Sequence, residues 1–64
     1  MKTLGHFTTG SGTTYVLYRD EQGREYIEQA NSLSTRLYPI VNRSASTVFA
    51  EAREAGHTVQ EVPA

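Results

Sequence analysis

The stretch YVLYRDEQGREYIEQ, residues 15–29, decides the fold. Its first residues are β-branched and aromatic, a composition typical of a strand. Asp20 suits the first position of a type I turn, and Gly23 supplies the positive φ that the following bulge position requires. The residues after Gly23 return as a second strand. The stretch therefore predicts a β-hairpin whose loop has three residues, Glu21 to Gly23.

A three-residue loop also fixes which residues of the two strands face each other. The predicted pairs are Asp20 with Arg24, Arg19 with Glu25, Tyr18 with Tyr26, and Leu17 with Ile27. Each is a favourable cross-strand contact, whether ionic, aromatic or aliphatic. The register is therefore supported by the side chains as well as by the turn.

A third strand precedes the hairpin. The residues from Thr3 to Thr9 are strand-like but are broken by Gly5, and the triplet 10–12 (GSG) is a strong turn signal. A three-residue loop there places Phe7 opposite Tyr15. The first half of the chain thus predicts an antiparallel meander of three strands.

Alternation along these strands divides the side chains between two faces. The first face carries Phe7, Tyr15, Leu17 and Ile27, and the second carries Leu4, His6, Val16, Tyr18 and Tyr26. The first face has fewer polar atoms, so we expect it to be the core. Tyr18 and Tyr26 are then exposed on the opposite face.

The second half of the chain predicts helix. Asn31 or Ser32 is a suitable N-cap, and apolar residues follow at helical spacing. Those apolar residues are Leu33, Leu37, Ile40 and Val41. Pro39 ends or kinks the helix near Tyr38. The pattern leaves open whether residues 33–55 form one kinked helix or two.

A second helix is predicted more clearly. Ser44 or Ser46 caps it, and Gly56 stops it. Its apolar stripe consists of Ala45, Val48, Phe49, Ala52 and Ala55. Phe49 should be its most buried residue, and residues 57–62 suggest a short edge strand. The predicted fold is one α+β domain over residues 1–64, a three-stranded antiparallel β-meander packed on two short α-helices, with an optional fourth strand at the C-terminal edge.

Composition excludes several classes of protein. The formal net charge is −1, which disfavours a dedicated nucleic-acid binder and an acidic DNA mimic alike. The chain has no cysteine, no apolar run long enough to span a membrane and no signal-peptide pattern, so we expect a cytoplasmic location. A core of this size is small, so stability depends on good local structure or on association with another chain, a homodimer included.

The residues that could carry chemistry are few. His6 and His57 are the two imidazoles, and neither lies in a nucleophile motif. They could approach each other if the last strand pairs beside the first, and a carboxylate could then complete a metal site, although the two histidines alone are too few for a zinc site. The simpler interpretation is that one histidine lies on a half-exposed strand and the other just after a helix C-terminus. We therefore expect no enzyme activity, no metal site and no cofactor.

Tyrosine and arginine instead favour a binding surface, because both are enriched among interface hot spots. Tyr18 and Tyr26 are predicted as anchors of a partner-binding face, with Arg19 and Arg24 at its rim. The partner is expected to be a larger protein or nucleoprotein complex. In the alternative interpretation, the same aromatic and arginine side chains stack nucleic-acid bases.

In size and layout the chain resembles the anti-CRISPR inhibitors, small proteins that phages carry against bacterial defences. The similarity lies in the cysteine-free chain of 64 residues and in the compact hairpin from Tyr15 to Gln29, followed by short helices. The resemblance implies a non-catalytic inhibitor that occludes a larger complex in the host cell cytosol. It assigns no role to any particular residue.

Overall fold

A computed structural model describes residues 1–30 and 36–63 of the chain. In this part the elements are β1 (Lys2–Thr8), β2 (Thr14–Arg19), β3 (Glu25–Gln29), β4 (Leu37–Pro39), α1 (Ala45–Glu54) and β5 (Thr58–Glu61). The five strands form one antiparallel sheet in the order β4-β3-β2-β1-β5, accompanied by the one helix. The predicted α+β class is confirmed, but the prediction of three strands and two helices is wrong.

The hairpin of β2 and β3 has the predicted register, with Tyr18 opposite Tyr26 and Leu17 opposite Ile27. The backbone N–H of Asp20 donates to the Arg24 carbonyl at 2.9 Å, which closes a loop of three residues. Gly23 has a φ of 82°, the left-handed conformation that the turn requires. The local turn chemistry therefore determines the centre of the sheet.

β1 pairs with β2 so that Phe7 lies opposite Tyr15, as predicted, but the strand is not broken at Gly5. The register instead shifts by a β-bulge between Thr3 and Gly5. A bulge changes the alternation of side chains on the strand that carries it. As a result Leu4 packs against the core, and the prediction that it shares a face with His6 is wrong.

β4 occupies a place where the sequence predicts a helix. Residues Leu37–Pro39 pair with β3, and Tyr38 lies opposite Ile27. The backbone N–H of Ile40 continues this pairing by donating to the Glu25 carbonyl at 2.9 Å. Hydrogen bonding to the edge of β3 thus outweighs the helical spacing of the apolar residues. The predicted caps and start of that first helix, residues 31–33, lie outside the described residues.

α1 has the predicted cap and stop. The Ser44 hydroxyl accepts a hydrogen bond from the Thr47 N–H at 3.2 Å, and Gly56 follows the helix with a φ of 83°. Phe49 is 2% exposed, the largest fully buried side chain of the helix. The helical spacing places Ala55 in the buried stripe, but this residue is exposed because the helix already ends there. α1 is too short and too polar to cross a membrane.

The core lies between α1 and one face of the sheet. Its buried residues are Phe7, Leu17, Ala45, Phe49 and Ala52. The prediction that the Phe7 and Leu17 face forms the core is confirmed. α1 packs mainly over β1 and β5, and β5 pairs with β1 as the predicted C-terminal edge strand.

Candidate functional site

The face of the sheet that points away from α1 is the candidate site, and we call it the open face. Phe7 and Leu17 point toward α1, so their strand neighbours point to the other side. Within residues 1–30 and 36–63, no helix lies on that side. The open face is formed mainly by His6, Val16, Tyr18, Tyr26, Glu28, Leu37, Pro39 and Gln60.

The strand registers arrange these side chains in two rows. The longer row crosses all five strands and consists of Gln60, His6, Val16, Glu28 and Leu37. The second row runs beside it and consists of Thr3, Tyr18, Tyr26 and Pro39. Apolar side chains and tyrosine rings therefore lie around Glu28, with further polar side chains toward β5.

Tyr18 is held in place by Glu28. Its hydroxyl donates to Glu28 Oε1 at 2.9 Å. Burial, the hydrogen bond to Glu28 and the charge of Glu28 together raise the pKa of Tyr18 above its ordinary value of 10.0. The hydroxyl therefore stays protonated at neutral pH and keeps its donor role.

Tyr26 is held by Asp20 at the tip of the hairpin. Its hydroxyl donates to Asp20 Oδ2 at 3.2 Å, and the same oxygen accepts from Arg24 Nε at 3.0 Å. The other carboxylate oxygen accepts from the backbone N–H groups of Gln22 and Arg24, each at 2.9 Å. Burial alone would raise the pKa of Asp20, but these hydrogen bonds outweigh it and lower the pKa. The tip is thus braced around one carboxylate.

Arg19 lies on the opposite side of the sheet from the two tyrosines. Its guanidinium bonds Glu25 Oε2 at 2.8 Å, and Glu25 Oε1 accepts from the Ala45 N–H at the start of α1, also at 2.8 Å. Burial tends to raise the pKa of Glu25, but the hydrogen bond from Arg19, the Ala45 N–H and the Arg19 charge lower it. Glu25, which Arg19 holds from β2, therefore joins the sheet to the helix.

Of the four residues predicted for the site, the structure brings Tyr18, Tyr26 and Arg24 to the open face and its tip, and separates Arg19 from them. The alternation of β2 already implies this separation, since Arg19 is two residues from Leu17. The sequence prediction does not include Glu28, although this residue lies two positions from Tyr26 on the same strand. It does not include Leu37 either, because the spacing of the apolar residues there predicts a helix.

The two histidines lie on opposite sides of the sheet. His6 is on the open face opposite Gln60, whereas the His57 ring stacks on Phe7 with centroids 6.0 Å apart. The described residues contain no group of three or more histidine, aspartate or glutamate side chains placed to hold a metal ion. Pairing of β5 with β1 thus occurs without bringing the two imidazoles together.

Comparisons of this chain with protein-family models, with curated proteins and with solved structures found no match.

Proposed function

We propose that this chain is a non-catalytic inhibitor that binds a larger protein or nucleoprotein complex through the open face and occludes it. The observation that carries the proposal is the pair Tyr18 and Tyr26, which lie side by side on the open face, each with its hydroxyl bonded to a carboxylate. Tyrosine rings that are already fixed lose little entropy on binding. They are therefore well suited as anchors.

The surroundings of the tyrosines have the composition of a protein interface. Val16, Leu37 and Pro39 supply apolar surface next to them, and Leu37 is 40% exposed. His6 and Gln60 supply polar groups toward the β5 side. Apart from Glu28, the centre of the open face is apolar and aromatic and its margin is polar, which is the usual anatomy of a binding surface.

The charges of the open face favour a protein partner over nucleic acid. Among the strand residues that form this face in the described structure, the charged side chain is the negatively charged carboxylate of Glu28. Arg24, at the tip, is already paired with Asp20. A carboxylate beside the stacking rings repels phosphates but attracts lysine or arginine. The partner is therefore proposed to present basic side chains opposite Glu28.

The experiment begins with capture of a partner from a bacterial lysate by the wild-type chain, followed by binding measurements on the purified partner. Tyr18→Ala and Tyr26→Ala should each weaken binding by about 30-fold or more, since truncating a buried aromatic anchor costs about 2 kcal/mol. Tyr38→Ala is the matched control. Tyr38 is 56% exposed but lies on the same side as Ile27, so this variant should bind like the wild type.

Inhibition is then measured as loss of the partner's own activity or of its nucleic-acid binding when the wild-type chain is added. Equal binding by Tyr18→Ala, Tyr38→Ala and the wild type would refute the open face as the contact surface. Binding to naked DNA or RNA that weakens steeply with salt, without any captured protein, would support the nucleic-acid alternative instead.

A further inference from the structure

The backbone hydrogen bonds of the sheet show which groups of β5 point away from it. The Val62 N–H donates to the Leu4 carbonyl at 2.9 Å. Antiparallel pairs alternate between bonded and non-bonded positions. Gln60 and Thr58 are therefore bonded to β1, and the N–H and C=O groups of Val59 and Glu61 point to the outer edge.

The two edges of the sheet differ in how they are protected. On β4, the bond from the Ile40 N–H to the Glu25 carbonyl places Pro39 at an outward position, where it has no N–H to offer. Proline at an outward position is a common protection of an edge strand. β5 has the sequence TVQE, without proline or lysine, and Pro63 follows only after the strand has ended, so the outward groups of Val59 and Glu61 remain a template for a further strand.

We propose that β5 pairs antiparallel with β5 of a second copy of this chain, about a two-fold axis through Gln60. In this register the outward groups of Val59 and Glu61 bond those of Glu61 and Val59 in the other copy. Every outward N–H and C=O of the two strands is then paired. A self-complementary patch of this kind is the requirement for a two-fold dimer.

The two neighbouring registers are unfavourable because each of them pairs an outward residue with one that has no free N–H. Shifting the axis to Val59 pairs Glu61 with His57, whose N–H is already bonded to the Ala52 carbonyl at 2.9 Å. Shifting it to Glu61 places the two Glu61 residues opposite each other and pairs Val59 with Pro63, which has no N–H. The Gln60 register is therefore selected.

Side chains also favour a second copy as the occupant of this edge. Gln60 meets Gln60 on the axis, and each amide has both a donor and an acceptor. The Glu61 carboxylate is paired with Arg53 of α1, so no free charge enters the contact. Thr58 comes to lie opposite Val62, which is 50% exposed in the single chain.

The association is tested by light scattering coupled to gel filtration over a wide range of protein concentration. The wild-type mass should rise toward twice that of the single chain. Glu61→Pro removes an outward N–H that β1 does not use and should stay monomeric, whereas Glu61→Ala keeps the N–H and should still associate. A wild type that is monomeric at every concentration, or a folded Glu61→Pro protein that still dimerises, would overturn the proposal.

A second measurement does not depend on the folding of the proline variant. The wild-type chain has no cysteine, so a single Gln60→Cys introduces one thiol at the proposed axis. Directly opposite residues of a non-bonded pair have Cβ atoms about 4.5–5.5 Å apart, near the reach of a disulfide. Mild oxidation should link Gln60→Cys into dimers at least tenfold faster than Gln22→Cys at the hairpin turn. Equal rates would overturn the proposed register.

Discussion

At the scale of single residues, position 5 has little room for a side chain. A Cβ there would lie 2.4 Å from the Gln60 carbonyl oxygen and 3.0 Å from the tip of the Phe49 ring. Gly5 also has a φ of 147°, a region that other residues rarely adopt. This one glycine thus permits the bulge of β1, the approach of β5 and the seating of α1.

Gly5→Ala should lower the free energy of unfolding by at least about 2 kcal/mol, because backbone strain and overpacking add together. Urea denaturation followed by circular dichroism measures the loss. Gly10→Ala is the control, since a Cβ at position 10 meets no atom within 4 Å. A Gly5→Ala protein as stable as the control would show that the crowding is relieved at little cost.

At the scale of elements, α1 is attached by its cap, by its core residues and by a carboxylate from the sheet. Ser44 caps the helix locally, and the carboxylate of Glu25 in β3 accepts a hydrogen bond from the Ala45 N–H. Phe49 reaches into the space that Gly5 leaves free. The helix is therefore placed by contacts from two strands as well as by its own sequence.

Phe49→Ala should lower the free energy of unfolding by about 3–5 kcal/mol, as for other buried aromatic residues replaced by alanine. A loss of this size approaches the whole stability of a 64-residue domain, so the variant should be largely unfolded. Glu54→Ala, an exposed change in the same helix, should stay within about 0.5 kcal/mol of wild type. Thermal melting compares the two, and cooperative melting of Phe49→Ala near the wild-type temperature would contradict the core described above.

The hairpin and α1 could be predicted from sequence because their signals are local: a turn glycine, cross-strand pairs, a serine cap and a glycine stop. β4 could not, because its pairing depends on the free edge of β3, which lies earlier in the chain. The position of Leu4 on the core side of the sheet could not be predicted either. It depends on a bulge in β1, and the later strand β5 helps to fix this bulge. The tyrosines of the candidate site were predictable from alternation along β2 and β3, whereas Leu37 beside them was not.

At the scale of the whole molecule, two carboxylates connect the parts. Asp20 braces the hairpin tip, and Glu25 joins β2, β3 and α1 through Arg19 and the Ala45 N–H. Both have pKa values below their ordinary 3.8 and 4.5. Each therefore stabilises the fold fully only when it is ionised.

Acid should therefore weaken the fold. A carboxylate whose pKa is lower in the folded chain contributes stability above its unfolded pKa, and this contribution is lost as the pH falls through the folded value. We expect the urea midpoint to be unchanged between pH 7 and about pH 5 and to fall below about pH 4. Glu25→Gln should flatten this fall, whereas Glu54→Gln should not. Identical pH profiles for wild type and Glu25→Gln would exclude the proposed role of Glu25.

The pairing of β1 with β5 has a consequence for how the chain is made on the ribosome. Thr8 lies opposite Thr58, fifty positions later, so β1 is synthesised long before its second neighbour exists. Until β5 has left the exit tunnel, the backbone groups along one edge of β1 are unpaired. Phe7 also lacks its contacts with Val59 and His57 and is more exposed to water. A nascent chain stalled before position 58 would therefore expose an unpaired edge strand that can pair with other chains. Chaperones should bind this stalled chain more tightly than the released, folded protein.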